Sequence, residues 1–350
     1  MPKKYKKSII FSKSILSGHF RYKDEFQIYP IDIERAPKSQ VVNNIPCCLE
    51  FYYEEKDIEY FNPFGVEKFD KMLSETATES NKRNRILNLL STISNYRFHF
   101  KGSAEFIWTI PVPEEVTDEN KDELNNTASS PGMEVYVYPG IGDDLKISKL
   151  SNLETGNILY LPHKVYYMYD PVDGRDKIIK FPLRVNHILD KYFSLDKATT
   201  LIIDSAAYQI CNALDLKSNM KSLSFFSAVS AIETMINLEY KEEKIEFDCN
   251  HCKSLKSSAR ICQKCGKPKW GIAEKFREFL GKYVSNSKSS RRKFNKIYSI
   301  RSKIAHTEYL MFNENITDWN FTDKRNDLYL QHIETIQLAR LSIVNWLLKN

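Results

Sequence analysis

Four cysteines in the second half of the chain have the spacing of a metal site. Cys249 and Cys252 form one Cys-x2-Cys pair, and after nine further residues Cys262 and Cys265 form a second. Two such pairs this close together predict a tetrahedral thiolate zinc site, because a two-residue spacer lets two sulfurs converge on one ion. Since the protein supplies all four ligands, we expect a structural zinc rather than a catalytic one. His251 as a substitute ligand and a redox role for the cysteines are the alternatives.

Arg301 and His306 form a second pair of residues that could do chemistry. They stand five positions apart in a stretch that carries Ile297, Ile300 and Ile304 at helical spacing. Five residues turn a regular helix by about 140°, so the two side chains do not share one ideal face. They can converge if the helix loosens near His306 or if the long arginine bends back over the intervening turn. On spacing alone, a capping histidine beside a surface arginine is the simpler interpretation.

The elements that must position these residues are helices. Apolar residues recur at three and four positions through five segments, at residues 197–214, 219–240, 272–283, 289–305 and 327–348. Asp196 and Asn219 are candidate N-caps for the first two segments. Because the cysteine pairs interrupt this run, we predict a helical bundle with an inserted zinc ribbon.

The first half of the chain has the residue pattern of mixed α and β structure. Aromatic and β-branched runs predict strands at residues 49–53, 105–110, 134–138 and 177–181. Residues 80–96 instead carry apolar side chains at helical spacing. We therefore expect an antiparallel sheet with at least one helix packed on it.

The predicted fold class is α+β in two domains, as suits a chain of 350 residues. A β-rich N-terminal domain takes residues 1–183. An all-α domain takes residues 184–350, with the four-cysteine ribbon inserted at 247–269.

Composition excludes several classes of protein. With 42% hydrophobic and 27% charged residues, the chain is globular rather than disordered or fibrous. It has only 11 glycines, no Walker-type loop and no complete Gly-x-Gly-x-x-Gly, so neither a P-loop nucleotide nor a Rossmann cofactor is supported. No apolar stretch approaches the ~20 residues that a bilayer requires. The basic N-terminus is not followed by the apolar core of a signal peptide, so we expect a cytoplasmic protein. In that compartment Cys47, Cys48 and Cys211, which lie in apolar surroundings, are expected to be reduced, buried packing residues.

Basic charge is concentrated near the two candidate sites. Residues 252–303 hold sixteen Lys or Arg against two acids, a balance of +14 in a chain whose total is +6, so the rest carries −8. Such a segment attracts polyanions in a salt-dependent way. A solvated basic helix surface is the equally weighted alternative.

The C-terminal half, from about residue 185, resembles a known superfamily. The phrase from Tyr298 to His306, the apolar helix from Phe225 to Met235 and the cysteine ribbon together are similar to the HEPN (higher eukaryotes and prokaryotes nucleotide-binding) superfamily, in its ApeA-like group. That superfamily is a helical bundle with an arginine followed, after four to six residues, by a histidine. The first half, through residues 86–91 and Trp108, resembles the β-rich domains that precede such bundles.

The resemblance implies a metal-independent endoribonuclease, a hydrolase in which the RNA's own 2′-hydroxyl attacks the adjacent phosphate. His306 would act as general acid or base, a role worth about 10²- to 10⁴-fold in rate. Arg301 would hold the non-bridging phosphate oxygens with its planar fork of donors. Ser302 would orient the histidine or contact the phosphate. Glu233 is a candidate partner for Arg301, with solvent exposure or another basic partner as alternatives.

The resemblance also implies partners. The site is commonly composite in this family, so a homodimer through the HEPN domain is expected, with RNA, transfer RNA among the candidates, as substrate. The expected role is a toxin or antiphage-defence effector of abortive infection, whose N-terminal domain is a sensor or regulatory module for a phage or cellular trigger. Zinc is the one expected cofactor. A non-catalytic zinc-ribbon and HEPN nucleic-acid-binding protein is the alternative function.

Overall fold

The computed structural model describes residues 2–31, 44–100, 117, 149–153, 156–162, 177–240, 271–306, 310–311 and 327–349. The described residues divide into two compact units, the first ending at Leu183 and the second beginning at Arg184. The first contains the sheet and one long helix, and the second contains six helices within its described ranges. The predicted α+β class is confirmed at this level.

The first unit is built on a five-stranded antiparallel sheet. Its strands are β1 (Lys3–Ser12), β2 (Phe20–Tyr22), β3 (Phe26–Pro30), β4 (Ile45–Glu54) and β5 (Phe98–His99). They lie side by side in the order β2-β3-β4-β1-β5. The central strand β4 is buried from Pro46 to Tyr53, so both faces of the sheet are covered there. This strand contains the predicted run at 49–53, which is confirmed.

One buried carboxylate lies in the middle of this sheet. Glu50 is fully buried and accepts hydrogen bonds from Gln27 Nε2 at 2.9 Å and Tyr29 Oη at 2.7 Å. Lys7 Nζ lies 3.2 Å from it, and Ser151 N donates to it at 3.1 Å. Burial alone would raise the pKa of Glu50, but these partners together lower it. The carboxylate therefore links three neighbouring strands rather than standing free as a catalytic group.

Helix α1 (Glu67–Ser94) packs on the sheet and begins earlier than predicted. Its buried apolar residues start only at Ile86, which is why the periodicity predicted a helix over 80–96. The earlier start is stabilised by Asp70, whose carboxylate accepts hydrogen bonds from the backbone N–H of Phe64 and Val66, at 3.2 and 2.9 Å. The helix ends at Ser94, and the C-cap residue Asn95 has a left-handed φ of 57°.

A short parallel pair, β6 (Leu159–Leu161) with β7 (Lys180–Pro182), completes the first unit. Strand β7 overlaps the predicted strand at 177–181. The predicted strands at 105–110 and 134–138 lie outside the described residues. Near this pair the backbones at Gly18 and Gly156 lie in close contact, because a Cβ added to Gly18 would lie 2.5 Å from the carbonyl oxygen of Gly156. Only glycine fits at that approach.

The second unit is helical throughout its described ranges. The helices are α2 (Val185–Phe193), α3 (Lys197–Leu216), α4 (Lys221–Glu239), α5 (Ile272–Tyr283), α6 (Lys288–His306) and α7 (Asp327–Lys349). The five predicted helices are confirmed within three residues at each end. Asp196 caps α3 by accepting the Thr199 N–H at 3.0 Å, whereas Asn219 does not cap α4, which starts after Met220.

Helix α2 was not predicted, although its signal is present in the sequence. Val185, Ile188, Leu189 and Tyr192 are buried and follow one helical stripe. Helix α7 is the central element and is buried nearly all round, with His332, Thr335 and Arg340 fully buried among its apolar residues. No helix in the described ranges is both long and apolar enough to cross a membrane.

Candidate functional site

Helix α6 carries all three predicted catalytic residues. Its start is fixed by Ser287, whose hydroxyl oxygen accepts the Ser290 N–H at 3.1 Å. Its buried side consists of Phe294, Ile297 and Ile300, which pack into the bundle. These contacts fix which side chains of the helix face inward and which face outward.

Arg301 faces inward and forms an ion pair with α4. Its Nη2 donates to Glu233 Oε2 at 3.0 Å, and both side chains are about four-fifths buried, with 21% and 17% exposed. The guanidinium carbon also lies 5.0 Å from the centre of the Phe226 ring, which stands two helical turns before Glu233 on α4. Of the three environments predicted for Glu233, the pairing with Arg301 is therefore confirmed.

The ion pair does not use every donor of the guanidinium. Arginine has five N–H donors in a fixed fork, and Glu233 uses the Nη2 side. The buried Nε of Arg301 has no hydrogen-bond partner among the described residues. Glu233 and Phe226 thus hold the guanidinium in one orientation, with about a fifth of the Arg301 side chain exposed.

Tyr298 lies next to this ion pair. Burial raises the pKa of its hydroxyl, the nearby Glu233 carboxylate raises it further, and Arg301 opposes both. Its ring packs against Phe276 of α5 with centroids 5.4 Å apart. The phenol therefore stays neutral near pH 7 and is a hydrogen-bonding group rather than a base. Neither Tyr298 nor Phe226 was predicted as a site residue, since aromatic residues at helical spacing look like ordinary core.

Ser302 and His306 lie on the outer side of the same helix. Both are exposed, and they stand four positions apart, about 40° from one another around the helix axis. Arg301 and His306 remain about 140° apart, because α6 continues as an α-helix through His306. Within the described part of the chain no hydrogen bond or ion pair joins these two residues. The structure thus brings Arg301 to Glu233, but it does not bring Arg301 to His306 within one chain.

The predicted zinc ligands Cys249, Cys252, Cys262 and Cys265 lie outside the described residues, so the structural zinc stays a prediction. In the ranges that are described, no group of three or more His, Cys, Asp or Glu residues could hold a metal ion.

The three remaining cysteines, Cys47, Cys48 and Cys211, are buried and reduced, as predicted. Burial raises the pKa of Cys47 to about 12 and that of Cys48 to about 11. Neither of these two is a reactive thiolate.

Comparison of the chain with protein-family models, with curated proteins and with solved structures finds no match in any of the three. The resemblance to the HEPN superfamily therefore rests on the residues quoted for it.

Proposed function

We propose that the chain is a metal-independent endoribonuclease of the HEPN type with its site at the carboxyl end of helix α6. The observation that carries the proposal is the ion pair between Arg301 and Glu233, which orients a cation beside a helix end that also presents an exposed histidine. A fixed cation and a proton carrier are what cleavage by an internal 2′-hydroxyl requires.

The reaction forms one bond and breaks one. The 2′-oxygen bonds to the adjacent phosphorus while its proton passes to a base, and the bond from phosphorus to the 5′-oxygen breaks as that oxygen takes up a proton. The products are a 2′,3′-cyclic phosphate and a 5′-hydroxyl. His306 carries one of these protons, and Arg301 stabilises the charge on the non-bridging oxygens. Ser302, one turn from His306, orients the imidazole or contacts the phosphate.

The geometry of α6 favours a site that is shared between two copies of the chain. Because Arg301 is held by Glu233 and lies about 140° from His306 around the helix axis, we infer that a single scissile phosphate contacts Arg301 of one chain and His306 of another. The proposal therefore includes a homodimer in which the α6 ends of two copies face each other. A toxin or antiphage effector, restrained or triggered through its N-terminal unit, is the role that fits such an enzyme.

A cleavage assay with purified protein tests the proposal. Wild-type protein incubated with total or transfer RNA is expected to generate 5′-hydroxyl ends, and the double variant Arg301→Ala, His306→Ala is expected to lose at least about 10²-fold in rate. The control replaces an exposed Arg and an exposed His of the second unit that lie outside α6, as Arg184→Ala, His187→Ala, and should retain full activity.

Equal cleavage by the wild type and the Arg301, His306 double variant would overturn the site assignment. Because removing Arg301 leaves the buried Glu233 unpaired, Arg301→Lys provides a second variant. It keeps the charge but loses the fork of donors, so it should fold normally and cleave slowly.

A nucleic-acid-binding protein without catalysis is the second candidate function. The observation that favours it is the exposed basic side of α6 combined with an arginine that faces away from the histidine. RNA that is bound but recovered intact from the wild-type protein would select this function.

A further inference from the structure

A strongly basic exposed surface runs the length of helix α6. Lys288, Arg292, Lys296 and Lys303 are all exposed and lie within about 80° of one another around the helix axis. His306 ends the same side of the helix. We call these four residues the α6 cation face.

Most of the cation face is not neutralised by nearby acids. Helix α6 contains no Asp or Glu at all. Among the described residues, no carboxylate pairs with Lys288, Arg292 or Lys296. By contrast Lys293, which lies closer to the bundle, forms an ion pair with Glu334 of α7. Those three outward cations thus keep a positive charge that an external anion can neutralise.

The positions of these cations on α6 destabilise the helix itself. Lys288, Arg291 and Arg292 occupy the first turns of α6, where the helix dipole disfavours cations. Lys288, Arg292 and Lys296 also follow one another at four-residue spacing, which places like charges side by side. Neither feature stabilises the helix, whereas a bound polyanion would offset both.

We propose that the α6 cation face binds the phosphate backbone of a single-stranded RNA segment and directs it toward His306, an inference that rests on the proposed function. Four residues of helix advance by about 6 Å, so Lys288, Arg292 and Lys296 can reach successive phosphates of an extended strand. Backbone contacts of this kind position a strand without reading its bases.

Two observations favour single-stranded RNA over other polyanions. The face ends at a histidine suited to cleave an RNA linkage, which heparin or an acidic protein does not have. The side chains stand on one convex helix surface, and the deep, narrow major groove of an RNA duplex is closed to such side chains. A flexible strand can instead follow the helix along its whole length.

A salt titration tests the cation face directly. In the His306→Ala background, which prevents turnover, binding of a fluorescein-labelled oligouridylate is measured by anisotropy at several salt concentrations. The double variant Arg292→Gln, Lys296→Gln should bind more weakly, and its slope of log K against log salt should be smaller by about 1.4, or 0.7 for each phosphate that the variant no longer neutralises. The matched control Lys68→Gln, Lys71→Gln changes net charge equally on helix α1 and should leave the slope unchanged.

Equal slopes in the two double variants would overturn the proposal. It would also be overturned if the protein bound a blunt RNA duplex as tightly as a single strand of the same length. Turnover separates this failure from failure of the proposed function. With His306 restored, Arg292→Gln, Lys296→Gln should raise KM and leave kcat unchanged, because cations remote from the reacting bond bind substrate and transition state alike. If the wild-type protein binds RNA but never cleaves it, the proposed function is wrong and the proposal for the α6 cation face still holds.

Discussion

At the scale of single residues, the bundle contains a buried histidine that is neutral for structural reasons. His332 is fully buried on α7, and its Nε2 lies 2.7 Å from the Ser224 hydroxyl. That hydroxyl donates its own proton to the Ala213 carbonyl, so Nε2 is the protonated nitrogen and donates to Ser224. Burial, assisted by Lys221 and Lys217, lowers the pKa of His332 from 6.5 to about 4.

This histidine makes the second unit sensitive to acid. The unfolded chain binds a proton at His332 near pH 6.5, and the folded chain does so only near pH 4. The free energy of unfolding therefore falls by about 3 kcal/mol as the pH drops across that interval. Urea unfolding followed by circular dichroism at pH 7 and pH 4 should show this loss, and His332→Gln should lack it. His187→Gln, which changes an exposed histidine, should behave as wild type, and an identical pH response in both variants would contradict the assignment.

Some residues of the candidate site could be predicted from the sequence and others could not. Glu233 could be named because it is an acid within an otherwise apolar helix, and such a group needs a partner when it is buried. Phe226 and Tyr298 could not, because nothing in their spacing separates a ring that packs on an arginine from a ring in the core. The separation of Arg301 from His306 was predictable from helix geometry alone.

At the scale of elements, the ends of α4, α5 and α7 are held together by one carboxylate. Glu239, the last residue of α4, accepts hydrogen bonds from Tyr283 Oη and Trp346 Nε1, both at 2.8 Å, and forms an ion pair with Lys282. Burial alone would raise its pKa, but these three partners lower it. Asn345 Nδ2 donates to the Tyr283 carbonyl at 2.6 Å beside it.

Removing this carboxylate should loosen the bundle. Glu239→Ala removes the hydrogen bonds that the carboxylate accepts from the buried Tyr283 hydroxyl and the buried Trp346 N–H, so it should lower the free energy of unfolding by about 3 kcal/mol. The matched control is Glu274→Ala on α5, whose ion pair with Arg277 is long, at 3.8 Å, and partly exposed. That change should cost less than about 0.5 kcal/mol. Urea midpoints measure both, and equal midpoints would show that Glu239 does not link the three helices.

The helices of the second unit were predictable because each buries one apolar stripe. Residues 272–283 were placed without error at both ends, since Gly271 precedes the stripe and the apolar pattern stops at Tyr283. The start of α1 was missed because its first four turns are mostly polar, and the side chains buried there are the polar Asp70 and Ser74. The order of the strands in the sheet could not be predicted from the sequence either, because the pairing of β1 with both β4 and β5 depends on contacts between distant segments.

At the scale of the whole molecule, the proposed site is shared between two chains. A dimer with two-fold symmetry would contain two such sites, each with Arg301 from one copy and His306 from the other. Subunits that exchange freely would then form mixed dimers from two inactive variants. One site of each mixed dimer would be intact, and the other would lack both groups.

The most direct test is therefore to mix Arg301→Ala protein with His306→Ala protein. Each variant alone should cleave RNA at the background rate. An equal mixture, after subunit exchange, should recover about a quarter of the wild-type rate, since half the dimers are mixed and each has one intact site. A mixture that remains at background, although the wild type cleaves and mixed dimers form, would contradict the claim that two copies share one scissile phosphate.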